Sequence, residues 1–154
     1  MLESSAFGAE YLQERIDREI MVAKPMGIIV EAANDSGVIL RAPLAPNANH
    51  KGTAFGGSLY SLAVLTGWAW LTRFLATRKL DAEAVIQESS MRFLKPVHGE
   101  MRACLEVPAA AEVHKFQRML VRADRGRIRL QVKMHEGLVL ATVFDGLFAA
   151  AMRR

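Results

Sequence analysis

An imidazole, a pair of adjacent glycines and a strand carboxylate are the groups in this sequence whose type and position suit chemistry. His50 lies in the polar stretch Asn49-His50-Lys51-Gly52-Thr53, shortly before Gly56-Gly57. Imidazole is the side chain that most often serves as a general base near neutral pH. Residues 52–72 carry no charge, and the run reads as a helix from Gly57 to about Leu75. A helix that is apolar all round must be buried all round. Its first N–H groups have no intrahelical acceptor, and two glycines leave them bare for a ligand oxygen. Glu88 is the third candidate, in a strand flanked by Val85, Ile86, Met91 and Phe93. A buried carboxylate is costly unless it is paired or functional. Each group also has a plainer reading. The glycines can serve packing alone, and His50 can be a surface or capping residue. Arg92, four residues on and on the same face, can neutralise Glu88, with Ser90 between them.

The elements that must hold these groups are legible in the spacing. Leu12, Ile16 and Ile20 recur every fourth residue, which predicts an amphipathic helix over 11–22, stopped by Pro25. Residues 26–33 read as a strand, Asn34-Asp35-Ser36-Gly37 as a turn, and residues 38–44 as its hairpin partner. Behind the buried helix come strands over 84–94 and 101–107. Val113, Phe116 and Leu120 then keep helical spacing up to Asp124-Arg125-Gly126. Ile128, Leu130, Val132 and Met134 alternate with charged or polar residues, and Glu136-Gly137 turns the chain into a last strand over 138–150. One long helix with a strand-rich remainder predicts an α+β layout, an antiparallel sheet curled around the helix.

Composition bounds the rest. The chain has 154 residues, which favours one domain over 1–154, and half of them are hydrophobic (51%), enough for a sizeable core. Cys104 is the only cysteine, so no intrachain disulfide can form, and a reducing, cytoplasmic setting is expected. Residues 1–8 have neither a basic region nor an apolar core, so no signal peptide is expected. The 52–72 run contains four glycines and several hydroxyl residues, too polar for a preferred reading as a membrane span. The histidines His50, His98, His114 and His135 are dispersed, so no metal is expected. The Gly-rich run before Ser58 lacks the lysine of a phosphate-binding loop. A net charge of +4 and the cluster Arg118, Arg122, Arg125, Arg127, Arg129 and Lys133 suit an anionic small ligand, the commoner alternative being a solvated strand face; without interleaved aromatics they do not point to nucleic acid.

The element order, with Gly56-Gly57 at the head of the central helix, resembles the hotdog fold of acyl-CoA thioesterases and dehydratases. Asn49-His50-Lys51-Gly52-Thr53-Ala54-Phe55-Gly56-Gly57-Ser58-Leu59 is most similar to the thioesterase-like domain at the C-terminal end of YiiD-type proteins. Gln87-Glu88-Ser89-Ser90-Met91-Arg92-Phe93-Leu94-Lys95-Pro96-Val97 is similar to that family's third strand. The resemblance implies hydrolysis of acyl thioesters, most simply acyl-CoA or an acyl-carrier protein, with no cofactor beyond the coenzyme A of the substrate. It implies a homodimer or dimer of dimers with sheets joined edge to edge and the site between subunits. Asn49, His50, Glu88 and Gly57 would carry the catalysis, the glycine through its N–H. Thr53, Phe55, Gly56 and Ser58, with Ser90 and Arg92, would contact the substrate. The chain departs from its relatives in three ways. The acetyltransferase domain of YiiD-type proteins is not expected within these 154 residues. Phe55 stands where many hotdog thioesterases have His, and Val64 stands where many have an acid. The missing acid argues against dehydration and makes a non-catalytic acyl-binding protein the alternative.

Overall fold

The computed structural model describes residues 6–154; of the segment read for a leader, residues 1–5 lie outside the described residues. Helix α1 (Ala9–Glu19) buries Leu12 and Ile16. A one-turn helix, α2 (Ala23–Met26), follows it. Pro25 therefore does not stop α1. It sits in the first turn of α2, where its missing N–H costs no hydrogen bond. Strands β1 (Ile29–Asn34) and β2 (Gly37–Ala42) form the expected hairpin, with Asn34 opposite Gly37 and the Ser36 N–H donating to Asn34 Oδ1 at 2.8 Å. A short 3₁₀ turn (Ala45–Asn47) precedes the long helix α3 (Gly56–Thr77). Then come β3 (Ala82–Phe93), β4 (Met101–Glu106), helix α4 (Ala110–Ala123), β5 (Arg125–Glu136) and β6 (Val139–Met152).

The strands form one six-stranded antiparallel sheet in the order β1-β2-β4-β5-β6-β3. Helix α3 packs against β2, β3, β4, β5 and β6, so the α+β layout expected from the sequence is the one observed. Alternation assigns the two faces. Met101, Ala103 and Leu105 of β4 and Ile128, Leu130, Val132 and Met134 of β5 are buried, while Arg125, Arg127, Arg129 and Lys133 point outward. Gly67 is a point of close approach between helix and sheet. A methyl added there would overlap the ring of Phe148, which is itself fully buried.

Burial of α3 is not uniform. Residues 69–75 are buried without interruption, so the helix is enclosed on every side over that stretch. From its N-terminus to just past its middle a stripe stays open: Gly57, Tyr60, Ser61, Val64 and Trp68. The expectation of burial all round therefore holds for part of the helix only. Among the described residues, no helix is long and apolar enough to cross a membrane.

The two sheet edges differ. Gln13 of α1 closes the β1 edge as a strand would, donating to the Ile28 carbonyl at 3.2 Å and accepting from the Val30 N–H at 2.7 Å. Strand β3 pairs only with β6 and leaves its other edge open. Because Phe148 has nowhere to move, Gly67→Ala should cost about 1–3 kcal/mol, read as a lowered midpoint in denaturant unfolding.

Candidate functional site

The site begins at the head of α3. The residue capping the helix is Phe55, which has no side-chain oxygen to offer the first turn. The Ser58 and Leu59 N–H groups both reach the Phe55 carbonyl at 3.0 Å. Among the described residues the Gly56 and Gly57 N–H groups have no acceptor. Two unpaired donors thus lie at the positive end of a long helix, an arrangement suited to an oxygen that carries or gains negative charge. The glycines have distinct surroundings. The Phe55 ring occupies the space a side chain at Gly57 would need, and Phe93 of β3 lies 3.6 Å from the position of a Gly56 Cβ.

The loop before the helix is rigidly tied. The Asn49 N–H donates to the Thr53 carbonyl at 2.7 Å. Asn49 Oδ1 accepts from the Lys51 and Thr53 N–H groups at 2.9 and 3.1 Å, and its Nδ2 donates to Thr53 Oγ1 at 2.9 Å. Every polar atom of the Asn49 side chain is therefore engaged in shaping the loop. His50 is exposed at its tip. Underneath, the Ala54 N–H donates to the Val97 carbonyl and the Phe55 N–H to the Asn47 carbonyl, both at 2.8 Å. Asn47 is buried, and its Nδ2 donates to the carbonyls of Met26 and Pro43, each at 2.8 Å. Sequence reasoning did not single out Asn47, the anchor of the whole loop. Its only signal was an asparagine after Pro46.

From this head a slot runs between α3 and β3, which lie antiparallel. Phe93 is beside Gly56, Ser89 beside Tyr60, and Ile86 deeper in. The Tyr60 hydroxyl and Ser89 Oγ share a short hydrogen bond of 2.5 Å. Past them is an apolar cleft of about 270 Å³ lined by Val64, Leu65, Trp68, Ile86 and Phe148, with Ile20 and Val22 closing one side. Val64 sits in its wall, and no carboxylate lines it.

A bulge decides which β3 residues face this slot. The register against β6 shifts between Ile86 and Glu88, leaving Gln87 unpaired. Beyond it Ser89, Met91 and Phe93 face the helix, while Glu88, Ser90 and Arg92 lie on the outer face. Glu88 is exposed, not buried, and its 3.0 Å ion pair is with Arg129 of β5 rather than with Arg92. The open outer face of an edge strand hydrates the carboxylate, so the expected penalty does not arise. The structure thus brings Asn49, His50, Thr53, Phe55, Gly56, Gly57 and Ser58 together at one end. It places Glu88, Ser90 and Arg92 behind the sheet. The basic residues of β5 share that outer face, away from the slot in the same chain. Tyr60 and Ser89 are the polar groups the sequence did not mark; only the bulge brings Ser89 inward. Burial pushes the Cys104 thiol up from its ordinary range, so it stays protonated and is a poor nucleophile.

The family described as "Putative thioesterase (yiiD_Cterm)" matches residues 9–152. A protein of unknown function from Chlorobaculum tepidum is similar in structure, with 27% identity, 94% of both chains covered and a TM-score of 0.90. A putative thioesterase from Shewanella oneidensis shares 26% identity over 93% of this chain and 96% of its own, with a TM-score of 0.83. The PaaI protein of the phenylacetic acid degradation operon of E. coli shares the fold, at 15% identity and a TM-score of 0.65, over 95% of this chain and 94% of its own.

Asn47→Ala should leave the Met26 and Pro43 carbonyls unpaired in the interior. The expected loss is about 1–3 kcal/mol for each group left unsatisfied. Thermal unfolding measures it, and faster proteolytic nicking in the 48–54 loop should accompany it.

Proposed function

The chain belongs to the thioesterase family named for the C-terminal domain of YiiD, and we propose that it hydrolyses acyl thioesters, acyl-CoA above all, to the free acid and thiol. One observation carries this reading: two unpaired N–H donors, of Gly56 and Gly57, at the mouth of an apolar cleft. The carbonyl oxygen of the thioester sits on those donors and the acyl tail enters the cleft. Water adds to the carbonyl carbon, and the negative charge that develops on oxygen meets donors already in place, which costs no reorganisation at that moment. The tetrahedral intermediate then expels the thiolate, which takes up a proton. Tyr60 and Ser89, at the threshold of the cleft, orient the carbonyl. Asn49 and Thr53 hold the loop, and Phe55 covers Gly57. We assign His50 as the proton acceptor, since it is the imidazole of that loop; Glu88, ion-paired behind the sheet, is not well placed for the task.

A second reading has its own support. The cleft wall has Val64 and no carboxylate, which fits a protein that binds acyl groups without cleaving them. The two readings separate in a thiol-release assay with acyl-CoA and acyl-carrier substrates. Hydrolysis supports the first, and tight binding without thiol release supports the second. If His50 takes the proton, His50→Ala should lower kcat by ~10²–10⁴-fold. Glu88→Gln, which loses only an exposed ion pair, should change it little. The reverse ranking would move the base to Glu88.

We propose further that the protein is a homodimer, or a dimer of dimers, joined through the open edge of β3. Exposed apolar residues gather along it: Phe55, Val85, Phe93 and Leu94. A long edge flanked by apolar side chains is a pairing template unless it is covered. Light scattering at micromolar concentration should give at least twice the 17.0 kDa chain mass. A charged substitution at an edge position, Val85→Lys, should weaken the association. A stable monomer would overturn this assembly.

A further inference from the structure

The cleft has a floor. Trp68 and Ile20 line the apolar cleft and also line a second cavity of about 380 Å³ behind it. That second cavity is polar, with Arg15, Glu19, Asp81, Glu83 and Arg153 in its walls. The boundary between the two is therefore an indole backed by charge. The indole is also held. The Arg15 guanidinium lies 5.9 Å from the Trp68 ring centroid and equally close to that of Tyr11. Arg15 is fixed in turn by the Tyr11 hydroxyl at 2.8 Å and by Glu19 at 2.9 Å. A methyl group pushed past Trp68 would displace a ring in cation–π contact with Arg15 and meet partly hydrated charges, which apolar matter cannot solvate.

We infer that Trp68 sets the length of the acyl chain the protein accepts, and that the preferred substrates are straight medium-length acyl thioesters. This rests on the acyl-thioester reading above. The lining residues Tyr60, Ser61, Val64, Leu65 and Trp68 are one face of two helical turns. From Gly57, whose N–H meets the carbonyl, to Trp68 the helix rises roughly 16 Å, and the indole leans back toward the N-terminus by about one turn, which leaves roughly 11 to 12 Å. With C–C bonds of about 1.5 Å in a tetrahedral zigzag, such a span takes about eight to ten carbons. Each methylene buried in the cleft strengthens binding by up to roughly fourfold. A methylene beyond the floor gains nothing or must bend back into solvent.

The test uses S-alkyl-CoA thioethers, which cannot be hydrolysed, with chains from about four to about sixteen carbons, titrated into the protein by calorimetry. The affinity should climb with chain length and level off near ten carbons. In Trp68→Ala the break should move outward by roughly two carbons or more, toward the volume the indole vacates. Trp68→Phe serves if the alanine variant does not fold, with a smaller shift in the same direction. Arg15→Ala, which frees the indole without removing it, should blunt the break. A wild-type affinity that rises without a break to the longest chain, or a break that stays in place in a folded Trp68 variant, overturns the assignment. Failure to bind any chain overturns it together with the acyl-thioester reading. Binding with the predicted break but no hydrolysis of the matching acyl-CoA supports the length limit and sinks hydrolysis alone.

Discussion

Burying α3 is the constraint on which the rest of the structure depends. Its first ionisable cation is Arg73, near its C-terminal end, and that guanidinium is buried against Asp35 of the β1–β2 turn at 3.0 Å. A helix of this kind has no charged face to give to water, so the sheet must reach around it and offer apolar residues from five strands. The distance between helix and sheet follows from small residues at the contact. Gly67 admits the Phe148 ring, and Gly146, where an added Cβ would strike Phe144 and Phe148, makes room for both rings on the other side. With the inner face committed to this packing, charged residues of β5 are confined to the outer face.

The chain does not complete the enclosure by itself, and the gap is informative. Helix α1 shields the β1 edge through Gln13 and covers part of α3, but it stops at Glu19, and only Ile20 and Val22 reach over the cleft. The open stripe on α3 and the open edge of β3 border the same slot. An acyl tail against the stripe and a second chain against the edge would each remove apolar surface from water, the dominant favourable term in both association and folding. The polar head of the slot has a different origin. It exists because the helix starts at two glycines after a phenylalanine, so no side chain satisfies the first donors. The loop that delivers them is held by Asn47 and Asn49, through hydrogen bonds to backbone groups and one to the Thr53 hydroxyl.

Much of the site was legible in the sequence for a local reason. The loop and helix head are contiguous, so Asn49, His50, Thr53, Phe55, Gly56, Gly57 and Ser58 had to lie near one another. Turn chemistry at Asn34-Asp35-Ser36-Gly37 and the alternation in β4 and β5 were likewise local signals, and the structure follows them. Strand β3 was the failure. Its residues were read by strict alternation, and one unpaired residue, Gln87, reverses every side chain after Ile86. That inversion turns Ser89 inward and Glu88 outward, and it gives Glu88 to Arg129, forty-one residues away.

The sequence alone determined the family, the α+β class, the buried helix and the polar loop at its head, since each is encoded by neighbouring residues through periodicity, turn preference or motif. Tertiary structure alone decided which polar residues face the slot, that α3 keeps an open stripe from its N-terminus to just past its middle, and that Trp68, with Arg15 beside its ring, stands between the cleft and a polar cavity. Those features depend on register between strands and on contacts between elements far apart in the chain. A period read within one strand does not reveal where its partner forces a bulge, and an apolar residue on a helix does not declare whether it will meet a sheet or an empty groove.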